Sequence, residues 1–101
     1  MGLLNPTPKD RLCDAQGRPY FLWDLDIDIG RFRELLASAD AQVRAHFIAK
    51  MMRQAKPDDV FEFVKLADIV RDWDLIMPQL GKRREFWSWL LGLWRARVHA
   101  A

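Results

Sequence analysis

Apolar side chains recur every three or four residues along most of the chain after residue 28, a spacing that predicts α-helices. Asp28 is suited to cap the first helix, because its carboxylate can accept hydrogen bonds from backbone N–H groups that lack a helical partner. Asp40 is suited to cap the second helix in the same way, and Pro57 ends that helix. The polar turn between the two helices resembles the turn of a HEAT-type helical hairpin.

The same periodicity predicts three further helices. Asp58 or Asp59 begins a short third helix, and a fourth starts near Leu66. The fifth spans about residues 82–98 and carries an apolar face that is broader than a third of its circumference. The fold predicted is therefore all-α: a compact bundle of about five short helices, arranged as HEAT-like hairpins without a sheet.

The first 19 residues differ from the rest, because their apolar side chains are sparse and prolines interrupt any helical pattern. We expect residues 1–19 to form an extended or flexible arm, and residues 20–101 to form a single helical domain. The domain opens with an apolar cluster over residues 20–23. We expect Trp23, in this cluster, to be mostly buried against the first two helices.

Composition limits the classes of protein to which the chain can belong. It has 101 residues, which suits one domain, and a single cysteine, Cys13, which excludes an internal disulfide. No apolar run is long enough to cross a membrane, and no secretory signal is recognisable, so we expect a cytoplasmic protein. The net charge is +2 and acidic and basic blocks alternate. A nucleic-acid-binding protein usually has a larger excess of one sign, so we expect neither nucleic acid nor a membrane as partner.

Three carboxylates at alternate positions form the most conspicuous candidate for metal binding: Asp24, Asp26 and Asp28. A calcium loop that starts at Asp24 needs Gly at its sixth position and Glu at its twelfth, where this chain has Ile29 and Leu35. A metal site for phosphoryl transfer would also need a Gly-rich phosphate loop, which the sequence lacks. We therefore interpret the three carboxylates as helix caps and as partners of basic side chains such as Arg31.

The other side chains that could bind a metal or act as nucleophiles are isolated in the sequence. The two histidines, His46 and His99, have no Cys, His or carboxylate at the spacing of metal ligands. Cys13 has no nearby histidine to activate it, and neither serine lies in a nucleophile elbow. We therefore expect no enzyme, no metal and no cofactor.

The last predicted helix is rich in Trp and Arg, two residue types that dominate binding hot spots. Its candidate residues for binding an acidic or mixed-charge protein partner are Arg83, Arg84, Trp87, Trp94 and Arg95. An acidic segment is the alternative surface, better suited to a partner with a basic active site, and its residues are Asp68, Asp72 and Asp74. A third interpretation is that the aromatic face of the last helix simply belongs to the core.

Short motifs over residues 20–90 resemble a group of small bacterial helical proteins. They are Phe21-Leu22-Trp23-Asp24-Leu25-Asp26, Phe32-Arg33-Glu34-Leu35-Leu36, Val43-Arg44 with Ile48, and Asp58-Asp59-Val60-Phe61-Glu62-Phe63-Val64. Members of that group share a Trp-Asp-x-Asp opening and are often encoded beside AbiEii-type nucleotidyltransferase toxins, of which they are suspected antitoxins. The resemblance implies protein binding and no catalysis by this chain.

We therefore expect a non-catalytic protein-interaction module, antitoxin-like, whose partner is a protein such as a nucleotidyltransferase toxin. Two alternatives stay open: a DNA-binding transcriptional regulator, and a peripheral membrane protein that uses the basic, Trp-rich last helix. For a regulator, the stretch from Asp40 to Lys56 is the only basic helix of suitable length. A homodimer also stays open.

Overall fold

A computed structural model of the protein describes the backbone of residues 5–100 and the side chains of residues 5–94. Its α-helices are α1 Lys9–Leu12, α2 Ile29–Leu36, α3 Ala41–Gln54, α4 Pro57–Val60, α5 Leu66–Arg71, α6 Trp73–Ile76 and α7 Arg84–Ala100. Turns of 3₁₀-helix occur at Tyr20–Leu22, Met77–Gln79 and Gly81–Arg83. Residues 5–100 contain no strand, so the all-α class is confirmed, but with about seven helices in place of the five predicted.

The N-termini of α2 and α3 lie where the sequence predicted them. The Asp28 carboxylate accepts the backbone N–H of Arg31 at 2.8 Å, and the Asp40 carboxylate accepts the backbone N–H of Gln42 at 2.9 Å. Each cap satisfies backbone N–H groups that have no acceptor within the helix. α2 and α3 pack against each other, in keeping with the predicted helical hairpin.

The long helix α3 is the centre of the core, since α2, α4, α6 and the turn at Tyr20–Leu22 all pack against it. Phe21, Phe32 and Phe63 meet edge to face beside it, with ring centroids 5.4 to 5.6 Å apart. The buried apolar side chains are Phe21, Leu22, Phe32, Ala45, Ile48, Ala49, Met51, Met52, Ala55, Val60, Val64, Ile69, Ile76, Leu80, Trp87 and Leu91. One continuous core therefore holds the elements together.

The segment between α3 and α7 is more broken than the periodicity predicted. The third predicted helix already ends at Val60, and the fourth is divided into α5 and α6 at Asp72. The buried Asp72 carboxylate accepts hydrogen bonds from the guanidinium groups of Arg44 and Arg71, at 3.0 Å each. This ion cluster ties α3 to the junction of α5 and α6.

The part of the predicted arm that lies within the described residues is bound to α4. Thr7 donates its backbone N–H and its hydroxyl to the Asp59 carboxylate, both at 2.6 Å, and the Tyr20 hydroxyl donates to it at 2.6 Å. Burial by itself would raise the pKa of Asp59, but these hydrogen bonds outweigh it and hold the pKa below its usual value. Residues 9–12 form α1, so the arm is not extended throughout. Residues 1–4 of the predicted arm lie outside the described residues.

Trp23 is a second correction, because its side chain is 77% exposed where we expected it to be buried. The 3₁₀ turn at Tyr20–Leu22 directs both Phe21 and Leu22 into the core. Two consecutive inward positions leave the next residue, Trp23, on the outer side of the turn. Removal of this exposed side chain should therefore change the stability of the fold little.

Candidate partner-binding surface

Helix α7 is attached to the core through Trp87, which is fully buried. The indole Nε1–H donates a hydrogen bond to the carbonyl oxygen of Met52 at 3.1 Å, and the ring packs on Phe61 with centroids 5.9 Å apart. Leu91, one helical turn later, is also buried. Residues 87 and 91 therefore define the side of α7 that faces α3 and α4.

This arrangement corrects part of the surface predicted from the sequence. Trp87 is a core residue and does not belong to an exposed surface. Trp94 is half-buried, whereas Arg83 and Arg84 are exposed as expected. Arg95 has its side chain outside the described residues. Of the predicted binding residues, Trp87 therefore belongs to the core and Trp94 is only partly accessible, while Arg83 and Arg84 remain available to a partner.

The opposite side of α7 exposes large apolar side chains. Phe86 is 37% exposed, Trp89 is 59% exposed and Leu93 is 48% exposed. Their spacing of three and four residues places them on one stripe of the helix, and the Phe86 and Trp89 ring centroids are 6.1 Å apart. Contiguous exposed apolar side chains of this kind mark sites of interaction with other molecules.

Basic side chains lie at the beginning of this stripe. Lys82, Arg83 and Arg84 are all exposed, and within the described residues none of the three forms an ion pair. Their charges oppose the helix dipole at an N-terminus, which adds a small cost for the isolated domain. We define the α7 surface by these bases and the apolar stripe: Lys82, Arg83, Arg84, Phe86, Trp89 and Leu93.

The alternative acidic segment does not present its three carboxylates together. Asp72 is buried, and the hydrogen bond from Arg44 lowers its pKa against the opposing effect of burial, with Arg71 adding to the lowering. Asp68 is half-buried, and it accepts the backbone N–H of Lys65 at 2.9 Å. Only Asp74 of the three is exposed. Asp68 and Asp72 form ion pairs with Arg71 and Arg44, so this segment offers a partner little free negative charge.

Each of the three alternating carboxylates near residue 26 has its own partner. Asp24 accepts from the buried Lys50 Nζ at 2.6 Å, Asp26 lies 3.5 Å from Arg18, and Asp28 caps α2. Within the part of the chain that the structure describes, no group of three or more His, Cys, Asp or Glu side chains could hold a metal ion. In the same residues, no helix is long and apolar enough to span a membrane.

The exposed residues Phe86, Trp89 and Leu93 were not among the predicted binding residues. The one signal for them in the sequence was the breadth of the apolar face of the last helix, to which Trp89 and Leu93 contribute. No protein-family model matches the chain, and neither a curated protein nor a solved structure shows significant similarity to it. The functional argument therefore starts from the geometry of the α7 surface.

Proposed function

We propose that this protein is a non-catalytic protein-interaction module whose α7 surface binds an acidic, partly apolar surface of a partner protein. The observation that carries the proposal is the exposed stripe of Phe86, Trp89 and Leu93 on a helix held in place by the buried Trp87. A rigid aromatic side chain presented in this way loses little conformational entropy on binding. The bases at the start of α7 favour a partner of opposite charge.

The position of α3 argues against the DNA-binding alternative. α3 is the basic helix that we considered for recognition of a major groove, but Ile48, Met51 and Met52 on it are buried in the core, and Lys50 is buried and paired with Asp24. Arg44, also on α3, is engaged with Asp72. A recognition helix has to present its side chains to the bases, which α3 does not do.

The class of partner that we propose is a nucleotidyltransferase toxin, as the resemblance of residues 20–90 implies. The site of such an enzyme that binds nucleotide phosphates is expected to be basic. It would therefore repel the bases of the α7 surface. For this partner we propose that the α7 surface contacts an acidic surface away from the nucleotide site. Inhibition would then not require that carboxylates of this chain occupy the nucleotide site.

Co-expression with a nucleotidyltransferase of the proposed toxin class, followed by size-exclusion chromatography, tests the proposal. The two proteins should elute together, and Trp89→Ala should weaken the complex while Trp23→Ala leaves it intact. The two variants are matched, since each removes one exposed tryptophan and only Trp89 belongs to the α7 surface. Reversal of charge at Arg83 and Arg84 should also weaken the complex, whereas Lys65→Glu, at an exposed base elsewhere, should not.

Two results would overturn the proposal. One is a complex that is unaffected by Trp89→Ala and by the charge reversals, because the contact would then lie elsewhere. The other is co-sedimentation with anionic vesicles that depends on Trp89 in the absence of a protein complex, because the stripe would then serve a membrane surface. Circular dichroism of every variant confirms that loss of binding is not loss of the fold.

A further inference from the structure

A cavity of about 510 Å³ opens between the C-terminal end of α2, the adjoining part of α3 and residues 63–71. The larger apolar side chains of its lining are Leu36, Ile48, Phe63 and Val64, and the charged ones are Arg33, Arg44, Arg71 and Asp68. The volume lies in the range of about 300–1,000 Å³ that is typical of sites for small ligands. None of these residues belongs to the α7 surface, so the inference does not depend on the proposed function.

Arg44 forms a fixed part of the wall. Its guanidinium binds both oxygens of the buried Asp72 carboxylate at 3.0 Å and donates to the carbonyl of Ser38, at the end of α2, at 3.0 Å. These contacts use most of its donors. Arg44 therefore holds α2, α3 and the α5–α6 junction around the cavity, and we assign ligand contact to the other two arginines.

Arg33 has its donors available to a ligand. Its guanidinium carbon lies 4.7 Å from the centre of the Phe63 ring, in a cation–π arrangement. The guanidinium N–H groups donate no hydrogen bond to the other described residues. Stacking on the ring restrains the guanidinium plane and leaves its N–H edge accessible. Because the Arg33 side chain is already restrained, it loses less conformational entropy when a ligand binds.

Arg71 completes the basic side of the cavity. It is about half-exposed. Its Nε and Nη2 donate to Asp72 at 3.2 and 3.0 Å and its Nη1 donates to Asp68 at 3.4 Å, so the second N–H of each Nη remains for a ligand. The lining itself holds three guanidinium groups and one carboxylate, that of Asp68. Asp72 and Asp40 offset the charge of Arg44 from outside the lining. Among the described residues, Arg33 is therefore the guanidinium of the cavity that has no carboxylate partner. An excess of guanidinium beside an apolar floor suits a ligand that is anionic at one end and apolar at the other.

We propose that this cavity binds a small organic oxyanion, a carboxylate or a phosphate ester carried on a flat apolar body. The oxyanion accepts hydrogen bonds from Arg33 and Arg71. The apolar body lies against Leu36, Ile48 and Phe63. The protein would then take a small ligand at a site that shares no residue with the α7 surface.

Isothermal titration calorimetry tests this proposal with three probes that share a phenyl ring. They are phenyl phosphate, phenylacetate and the neutral 2-phenylethanol. At least one of the anions should bind with a Kd of about 1 mM or tighter, and the alcohol should bind at least about tenfold more weakly. Tighter binding of the phosphate identifies a phosphate ester as the ligand class, and tighter binding of the carboxylate identifies a carboxylic acid. Both results support the site.

Arg33→Gln and Arg31→Gln form a matched pair of variants on α2. Arg31 is exposed, pairs with Glu34 at 3.1 Å and does not line the cavity. Arg33→Gln should weaken anion binding about tenfold, because it removes one charge-assisted hydrogen bond. Arg31→Gln should change the affinity for the anion less than about twofold. Arg71→Gln should weaken it as well, which provides a second variant if Arg33→Gln does not fold.

Three results would overturn the proposal. The first is the absence of saturable binding of either anion up to about 10 mM. The second is equal affinity for the neutral alcohol, which would show that the arginines do not contribute. The third is an equal effect of the two substitutions on α2, which would show that only the general positive potential of the surface attracts the anion.

Discussion

Replacement of Trp87 by alanine tests how α7 is held on the domain. The indole is fully buried, its ring packs on Phe61, and its N–H donates to the Met52 carbonyl. Truncation of a buried tryptophan to alanine lowers the free energy of unfolding by about 3–5 kcal/mol. The lost hydrogen bond contributes about 0.5–1.5 kcal/mol. Since small domains have total stabilities of about 5–15 kcal/mol, Trp87→Ala should lie close to the limit of folding.

Trp23→Ala is the matched control, because Trp23 is 77% exposed and its removal should change the stability by only about 0.5 kcal/mol. Urea unfolding followed by far-ultraviolet circular dichroism is the suitable assay, since both substitutions alter the tryptophan fluorescence. The urea concentrations at half unfolding are compared between variants whose unfolding free energy depends on urea concentration with the same slope. Trp87→Phe should fall between the two, because it keeps an aromatic ring and loses the N–H. An equal loss in Trp23→Ala and Trp87→Ala would refute the assignment of the two side chains.

Three further predictions concern the polar groups. Acid should destabilise the fold, because the pKa values of Asp59 and Asp72 are lowered from 3.8 in the folded state. Their stabilisation is complete above 3.8 and is lost as the pH falls below that value and through the lowered folded-state pKa, which thermal melts over about pH 2–6 check. Thr7→Val should cost about 1 kcal/mol of unfolding free energy and Thr7→Ser much less, since serine keeps the hydroxyl donor to Asp59. Millimolar Ca²⁺ or Mg²⁺ should leave the melting temperature unchanged, and a rise would revive the metal site of Asp24, Asp26 and Asp28.

The helix starts could be predicted from the sequence because their causes are local. Asp28 and Asp40 each bind backbone N–H groups only two or three residues ahead, so sequence spacing is sufficient to find them. Pro57 ends α3 for an equally local reason, the missing N–H and the fixed backbone angle. The division at Asp72 could not be predicted, because its partner Arg44 lies 28 residues away.

The side of α7 that faces the core could not be chosen from the sequence either. An apolar face that extends well beyond a third of a helix offers more than one apolar stripe, and periodicity alone does not select among them. The contact of Trp87 with Met52 and Phe61 selects one stripe. Because of this selection, Trp89 rather than Trp87 becomes the aromatic side chain available to a partner.

The most direct test of the proposed function is the affinity of the purified partner for three forms of this protein. They are the unaltered chain, Trp89→Ala and Trp23→Ala, each measured by titration calorimetry at the same salt concentration. If the α7 surface is the interface, Trp89→Ala should raise the Kd about 30-fold or more, the loss of a hot-spot side chain, and Trp23→Ala should leave it within about twofold. Equal affinities for all three forms, or a larger loss for Trp23→Ala, would contradict the account.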